Sequence, residues 1–421
     1  MSQLRAMQDE ASEKGRLQVN VVSSVTAFPV TNALISISYT GIPENTLETL
    51  TTDSSGQTET VELDAPPEEW SLDRNNERQP YSEYTLDISA PGYEPVSISG
   101  AEILANTKAI QNVRMRPSDN GQEEEEVFVI PAHTLYGDYP PKIAEEEIKP
   151  TNETGEIVLS RVVIPEYIVV HDGSPRDSTA KNYYVKYKDY IKNVASSEIY
   201  ATWPANTIRA NVLAIMSFTL NRVYTEWYRN KGYDFTITSS TAFDHKWIPE
   251  RNVYESISVI VDELFSNYLS RPNVRQPILT QYCDGRRVSC PDWMTQWGSK
   301  ELGDKGLSPI EILRYYYGDD MYINTAQEIS GIPASWPGYN LEQGARGDKV
   351  RQMQEEINVI AGAYPAIPKI SVDGIYGPAT AAAVEKIQSV FGLPVTGITD
   401  YKTWYKISEI YVGVSRIAEL T

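Results

Sequence analysis

Histidine and cysteine are scarce in this chain of 421 residues, with three of the first and two of the second. His133, His171 and His245 are scattered along the sequence, a thin supply of ligands for a catalytic metal. Cys283 and Cys290 cannot build a disulfide framework; one bridge between them and two free thiols are equally consistent with the sequence, and the spacing is not Cys-x-x-Cys. No stretch approaches the roughly 20 apolar residues of a membrane helix, so no membrane span is expected. Residues 1–16 carry charges but no apolar core, so no standard secretory signal is expected either. Basic side chains are outnumbered, 37 Lys and Arg to 57 Asp and Glu, for a formal net charge of -20. Nucleic acid, whose phosphates require a basic footprint, is thereby excluded as a partner. There is no Gly-x-x-x-x-Gly-Lys loop, dinucleotide fingerprint or Gly-x-Ser-x-Gly elbow, which leaves nucleotide and serine hydrolase chemistry without support.

What is present is unevenly spread. Residues 1–126 contain 22 acidic and 8 basic side chains, a balance of -14, leaving -6 for the other 295. That asymmetry fits a detachable front piece, although an acidic surface for solubility is the more ordinary explanation. The length calls for two or three units, each able to bury its own core. In the first, residues 1–116, Leu17-Gln18-Val19-Asn20-Val21, Leu34-Ile35-Ser36-Ile37 and Tyr84-Thr85-Leu86-Asp87-Ile88 alternate with period two, separated by turns at Asp53-Ser54-Ser55-Gly56 and Pro91-Gly92. This predicts an all-β sandwich, and it resembles the carboxypeptidase regulatory-like or transthyretin-like modules, which imply no catalysis of their own. Residues 117–154 read as linker and strap. Four glutamates, Glu123 to Glu126, predict an extended, protease-accessible segment. Val127-Phe128-Val129-Ile130 and Tyr136-Gly137-Asp138-Tyr139-Pro140-Pro141 predict either an apolar strap across a neighbouring unit or a structured linker, and residues 144–156 are polar again.

The central unit, residues 155–330, opens on strand-like runs at Ile157 to Val163 and Tyr167 to Val170 and carries helical patterns over 204–230 and 252–269, giving an α+β class. In the first helix Ile208, Val212, Ile215, Thr219, Val223 and Trp227 mark one face, with Pro204 at its start. Glu198 stands just ahead of it, in Ser196-Ser197-Glu198-Ile199-Tyr200-Ala201-Thr202-Trp203. A Glu near a helix start is most often dipole compensation or a solvated residue; the same position would also suit a carboxyl held at a fixed depth. A second segment, Trp293-Met294-Thr295-Gln296-Trp297-Gly298, followed by Pro309 to Tyr317, completes a pattern that resembles the stage II sporulation protein D family. These are lytic transglycosylases that cleave the glycan of peptidoglycan. The resemblance spans residues 155–325 and implies that Glu198 is the general acid and base. It implies substrate contacts at Trp203, at Ser240, Thr241 and His245 of one loop, and at Tyr282, Gln296 and Trp297, although the aromatic residues are equally plausible as core. Zinc, held in that loop by some family members with histidine and cysteine, is not expected with His245 alone; no cofactor is expected. Such an enzyme needs one carboxyl where ordinary hydrolases use two, and Asp234, Asp244 and Asp292 are left as possible second acids.

Residues 338–421 read as helix, Val372-Asp373-Gly374-Ile375-Tyr376-Gly377, helix, Gly392-Leu393-Pro394-Val395-Thr396-Gly397, helix. This closely resembles the peptidoglycan-binding domain 1 family, and implies a three-helix module with Tyr376 a candidate contact. The order of the units resembles that of the clostridial spore cortex-lytic enzymes. It implies a zymogen of the spore cortex and coat region that cleaves MurNAc-GlcNAc bonds in germination, with cortex peptidoglycan and an activating protease as partners. The alternatives are an amidase, which would want histidine ligands this chain hardly has, and a non-catalytic wall-binding or spore-structural protein.

Overall fold

The computed structural model describes residues 13–118, 125–149, 159, 161–326, 328–330 and 336–415. Residues 119–124 of the acidic linker, and all of the expected strand at 157–163 except Leu159 and 161–163, lie outside the described residues.

Period-two alternation does produce two facing sheets. Strand β1 (Glu13–Ser23) buries Leu17, Val19 and Val21 and turns the intervening residues outward. It pairs antiparallel with β4 (Val61–Ala65) and parallel with β7 (Lys108–Met115). The second sheet runs in the order β3 (Thr46–Thr51), β2 (Leu34–Tyr39), β5 (Ser82–Ser89), β6 (Val96–Ile103), β8 (Glu126–Val129). Between β3 and β4, Asp53 Oδ1 accepts from the backbone N–H of Ser55 and Gln57 at 2.8 and 3.0 Å. Gly56 there adopts φ 71°, and a Cβ would run into the Val21 carbonyl, so only glycine fits.

The expected strap is thus two things. Its apolar start is a sandwich strand, β8, parallel to β6. Ile130 and His133 N–H still donate to Ser99 and Tyr81 of the sandwich, and from Thr134 to Lys149 the strap lies along the central unit. Thr134 N–H and Oγ1 donate to the Ser197 carbonyl at 3.2 and 2.9 Å, and Ile143 N–H donates to the Ala242 carbonyl at 2.6 Å. Glu145 N–H donates to Gln281 Oε1 at 2.8 Å, Leu279 N–H to the Glu147 carbonyl at 3.0 Å, and Lys149 N–H to Gln276 Oε1 at 2.6 Å. Residues 144–149, expected as polar linker, are docked because the Glu145 and Lys149 N–H groups, the Glu147 and Lys149 carbonyls and the side chains of Glu145, Glu147 and Lys149 find partners.

The sandwich also joins the central unit directly. The short strand β9 (Val253–Tyr254) extends the first sheet against β7, and beside it Arg251 and Glu102, both fully buried, pair at 2.6 Å. Trp203 Nε1 donates to the carbonyl of Ser71 in the short helix α1 (Glu69–Leu72) at 3.0 Å.

The core of the central unit is helix α3 (Ala205–Tyr224), flanked by α2 (Tyr187–Glu198), α4 (Glu255–Leu264), α5 (Gln296–Asp304) and α6 (Pro309–Tyr317). Helix α3 is buried all round rather than on the one face its spacing predicts, since Ala210, Leu213, Ala214 and Met216 are enclosed along with Ile208, Val212 and Ile215. Trp227, the last periodic position, falls beyond its end. The second expected helix closes earlier than 269, with α4 giving way to a strand at Asn267–Ser270. Cys283 and Cys290 are bonded to each other, with Cα atoms 6.0 Å apart.

The C-terminal region folds as three helices, α7 (Asp348–Ala363), α8 (Pro378–Val390) and α9 (Tyr401–Ser415). Two buried glutamines organise its turns in the same way. Gln354 Oε1 accepts from Asp373 and Gly374 N–H at 3.1 and 2.8 Å, while its Nε2 donates to the Ile375 carbonyl and Thr380 Oγ1 at 3.0 and 3.1 Å. Gln388 repeats the set with Thr396 and Gly397 N–H, the Ile398 carbonyl and Thr403 Oγ1. Each amide thus fills both its donor and acceptor capacity inside the protein.

Candidate active site

Glu198 is the last residue of helix α2, not a turn residue ahead of a helix as its sequence context predicts. The end of α2 is pinned on two sides. Asn193 exchanges hydrogen bonds with the backbone of Ile248 at 2.7 and 3.0 Å, and Arg251 donates to the Ser196 carbonyl at 2.7 Å. The chain then turns extended at Ile199, which leaves the Glu198 carboxyl directed into the interior, 3% exposed.

There Oε1 accepts from the Lys246 N–H at 2.6 Å, and Oε2 accepts from the Tyr282 hydroxyl and, at 3.5 Å, from Gln296 Nε2. Gln296 also donates to the Glu198 carbonyl at 3.0 Å, so it ties α5 to the end of α2. Burial raises the Glu198 pKa above the ordinary carboxylate range, against the opposing pull of the Lys142 charge and the hydrogen bonds from Tyr282 and Lys246. His245, beneath the site, donates or accepts through Nδ1 to Tyr190 at 3.1 Å and stacks on Tyr282 at 5.8 Å. Burial, then the Lys142 and Arg222 charges, hold its pKa well below the usual value, so it is neutral.

The cavity over Glu198 measures about 60 Å³. That is room for a few waters, whereas pockets for molecules of disaccharide size run to roughly 300–1,000 Å³. The constriction has a plain cause: Thr134, Gly137, Tyr139, Pro140 and Lys142 of the strap form one wall, facing Thr241, Tyr282, Asp284, Arg287 and Gln296. Lys142 stands over the Phe218 and Tyr282 rings at 4.9 and 5.0 Å and donates to the Asp244 carbonyl.

Of the residues singled out in the sequence, Glu198, Thr241, Tyr282 and Gln296 meet at this cavity and His245 supports it from below. Ser240 caps the same loop through its carbonyl, which accepts from Phe243 and Asp244 N–H at 3.0 and 2.8 Å. Trp203 and Trp297 do not reach it. They are 3% and 2% exposed and pack on each other, with ring centroids 5.0 Å apart, as core. Tyr376 is likewise interior, its hydroxyl donating to the Gly397 carbonyl at 2.9 Å, so it closes a turn instead of offering a surface. Asp244 is buried and committed to Arg222, Tyr228 and Thr238, which removes it as a second acid. Asp234 accepts from Asn182 Nδ2 at 3.0 Å; neither it nor Asp292 lines the cavity.

The carboxylate that does line it is Asp284, overlooked in the sequence because nothing but its place beside the cysteine loop marks it. Its two oxygens accept from Arg287 and Val288 N–H at 2.7 and 2.8 Å. Lys142 was equally hidden, lying in a strap more than 50 residues before Glu198. Among the described residues no group of three or more His, Cys, Asp or Glu side chains is gathered as a metal site would need.

The Tyr282 hydroxyl stabilises the ionised form of Glu198, so Tyr282→Phe should raise the Glu198 pKa further. If Glu198 acts as the acid of a catalysed reaction, the basic limb of that reaction's pH–rate profile then moves to higher pH, and an unmoved limb would mean that another group donates the proton.

Comparison with known proteins bears on the C-terminal region. Residues 346–407 match the peptidoglycan binding domain family PG_binding_1. A zinc D-Ala-D-Ala carboxypeptidase of Streptomyces albus G is 40% identical over 77 residues, 18% of this chain and 28% of that protein. An uncharacterized protein of Kitasatospora aureofaciens is 41% identical over 83 residues, 20% of this chain and 64% of that protein. The chain therefore spans less than two thirds of either relative. Among solved structures, the 5-hydroxyisourate hydrolase of Klebsiella pneumoniae is 17% identical with a TM-score of 0.17, covering 25% of this chain and 92% of that one. The C-terminal region is thus a peptidoglycan-binding domain, and it points the chain toward the cell wall.

Proposed function

We propose that the protein is a spore cortex-lytic zymogen of the kind found in clostridia, whose central unit is a lytic transglycosylase and whose N-terminal part holds it inactive. The observation that carries this reading is a buried, protonation-prone carboxyl, Glu198, with the strap of the same chain across its cavity. The peptidoglycan-binding domain supplies the substrate class.

In the reaction Glu198 gives its proton to the glycosidic oxygen as the bond from C1 of the muramic residue breaks. The resulting carboxylate takes the proton of that residue's 6-hydroxyl as O6 closes on C1. A 1,6-anhydro ring and a new GlcNAc hydroxyl result, the carboxyl is regenerated and no water is consumed. A raised pKa suits the first step and the neutral His245 leaves the proton where it is needed. Proteolysis that severs the N-terminal part would let the strap leave and open the cavity. In this setting the protein acts in the cortex and coat region of the spore.

A second reading, hydrolysis, draws on Asp284 in the same cavity, which could activate a water. Digestion of purified cortex by the chain cut between residues 149 and 159, followed by mass analysis of the fragments, separates the two. Anhydromuramic ends are expected. Reducing ends assign a hydrolase, freed stem peptides an amidase, and intact cortex leaves a wall-binding protein.

A further inference from the structure

Beside the Glu198 cavity lies a second and much larger one, about 750 Å³, walled by Trp227, Tyr228, Tyr233 and Phe243 on the central unit and by Ile143, Glu145 and Lys149 on the strap. The two are separated by one crossing. Thr241 lines the first and Phe243 the second, and between them the strap is fastened by the Ile143 N–H to the Ala242 carbonyl at 2.6 Å. Withdrawal of the strap removes a wall from each.

What the strap covers there is a fully buried cation. Arg222, from the last turn of α3, directs Nη1 and Nη2 in parallel at the two oxygens of Glu145, at 3.1 and 2.6 Å. Its Nε is held by Asp244 at 2.7 Å, and Trp227 and Tyr228 flank the guanidinium at 5.1 and 5.6 Å. This is the planar two-point geometry with which arginine recognises a carboxylate. Asp244 stays behind when the strap leaves, so the guanidinium keeps its position while two aligned donors lose their acceptor. Although burial raises the Glu145 pKa, Arg222 and Lys149 hold it down at about 2, so the occupant is an anion across the working range.

Resting on the proposed glycan-cleaving function, we propose that Arg222 is the seat for a carboxylate of the substrate, carried by the muramic lactyl group or its peptide stem, and that Glu145 occupies this seat as an internal substitute. The aromatic walls take the apolar faces of the same substrate segment. Strap and substrate are then mutually exclusive at two points, Lys142 at Glu198 and Glu145 at Arg222.

The exclusion is measurable on the intact chain without any cleavage of glycan. The amides of Ile143 and Glu145, now bonded to Ala242 and Gln281, report strap docking by hydrogen exchange. N-acetylmuramic acid or an N-acetylmuramoyl peptide with a free carboxylate should speed their exchange in a concentration-dependent way, and the matching carboxamide should not. Which of the two acids acts identifies the source of the carboxylate. In Glu145→Gln the midpoint should fall at least tenfold. Where that substitution frees the strap outright, calorimetry of the variant reads the same seat, with the acid binding at least tenfold more tightly than the amide. Equal effects of acid and amide in both measurements overturn the proposal. Its failure is distinct from that of the function itself: glycan cut by the activated chain with acid and amide indistinguishable removes only the seat, and acid-specific binding with intact cortex removes only the lyase.

Discussion

Glu198→Gln should lower cortex lysis by the activated chain at least a thousandfold while leaving the fold intact. General acid–base catalysis contributes about 10²–10⁴ in rate, and under the proposed mechanism one group serves both proton transfers, so the loss belongs at the upper end. The amide can still accept from the Lys246 N–H and face the Tyr282 hydroxyl, which keeps the site assembled. Stability supplies an independent readout. Because the pKa of Glu198 is raised in the folded state, its contribution is full below the ordinary carboxyl range and is lost as pH rises through the raised value. Gln cannot ionise, so at pH 8 the variant should melt no lower than the parent. Undiminished lysis would remove Glu198 from the mechanism, and a clearly lower melting temperature would assign it to structure.

The second large effect lies at the join between sandwich and central unit. Glu102→Ala should destabilise the full chain by about 3–5 kcal/mol, the cost of leaving one member of a buried ion pair without its partner. The Arg251 side chain is buried, away from bulk solvent. The same guanidinium donates to the Ser196 carbonyl, two residues before Glu198, so the damage reaches the end of α2. Denaturant unfolding measures it. The double substitution Glu102→Leu with Arg251→Met should recover most of the loss, because two apolar side chains leave no unpaired charge. A cost below about 1 kcal/mol for Glu102→Ala would show water at the pair, as at an exposed ion pair.

Much of the architecture can be read along the chain, where local pattern and final environment agree. The alternation of β1 and the Asp53 to Gly56 turn are examples, and so is the spacing of α3, although burial on all sides blurs its single face. Helix α2 shows no such pattern because Lys188, Asp189 and Lys192 interrupt it. The compatibility of the two lysines with the interior depends on Asp262 in α4 and Glu409 in α9, which pair with Lys192 and Lys188 at 2.8 and 2.6 Å. Those partners stand 70 and more than 200 residues away, out of reach of any local window. The strap hides for the same reason. Glu145-Glu146-Glu147 reads as a solvated acidic run, yet its first and third members meet Arg222 and Arg271, the latter at 2.7 and 2.8 Å. Trp203 and Trp297 illustrate the opposite difficulty. An aromatic residue near a candidate acid is as good a core residue as a sugar platform, and only burial distinguishes them.

Helix α9 belongs to the peptidoglycan-binding domain, but it is bolted to the central unit: Lys188 reaches Glu409, Tyr401 bonds Ser266 at 2.7 Å, and Lys402 pairs with Glu263 at 3.0 Å. A gripping module on a loose tether lets its partner sweep a radius around each anchorage. One fixed in this way behaves as a ruler, setting a single offset between the point where the wall is held and the point that Glu198 can reach.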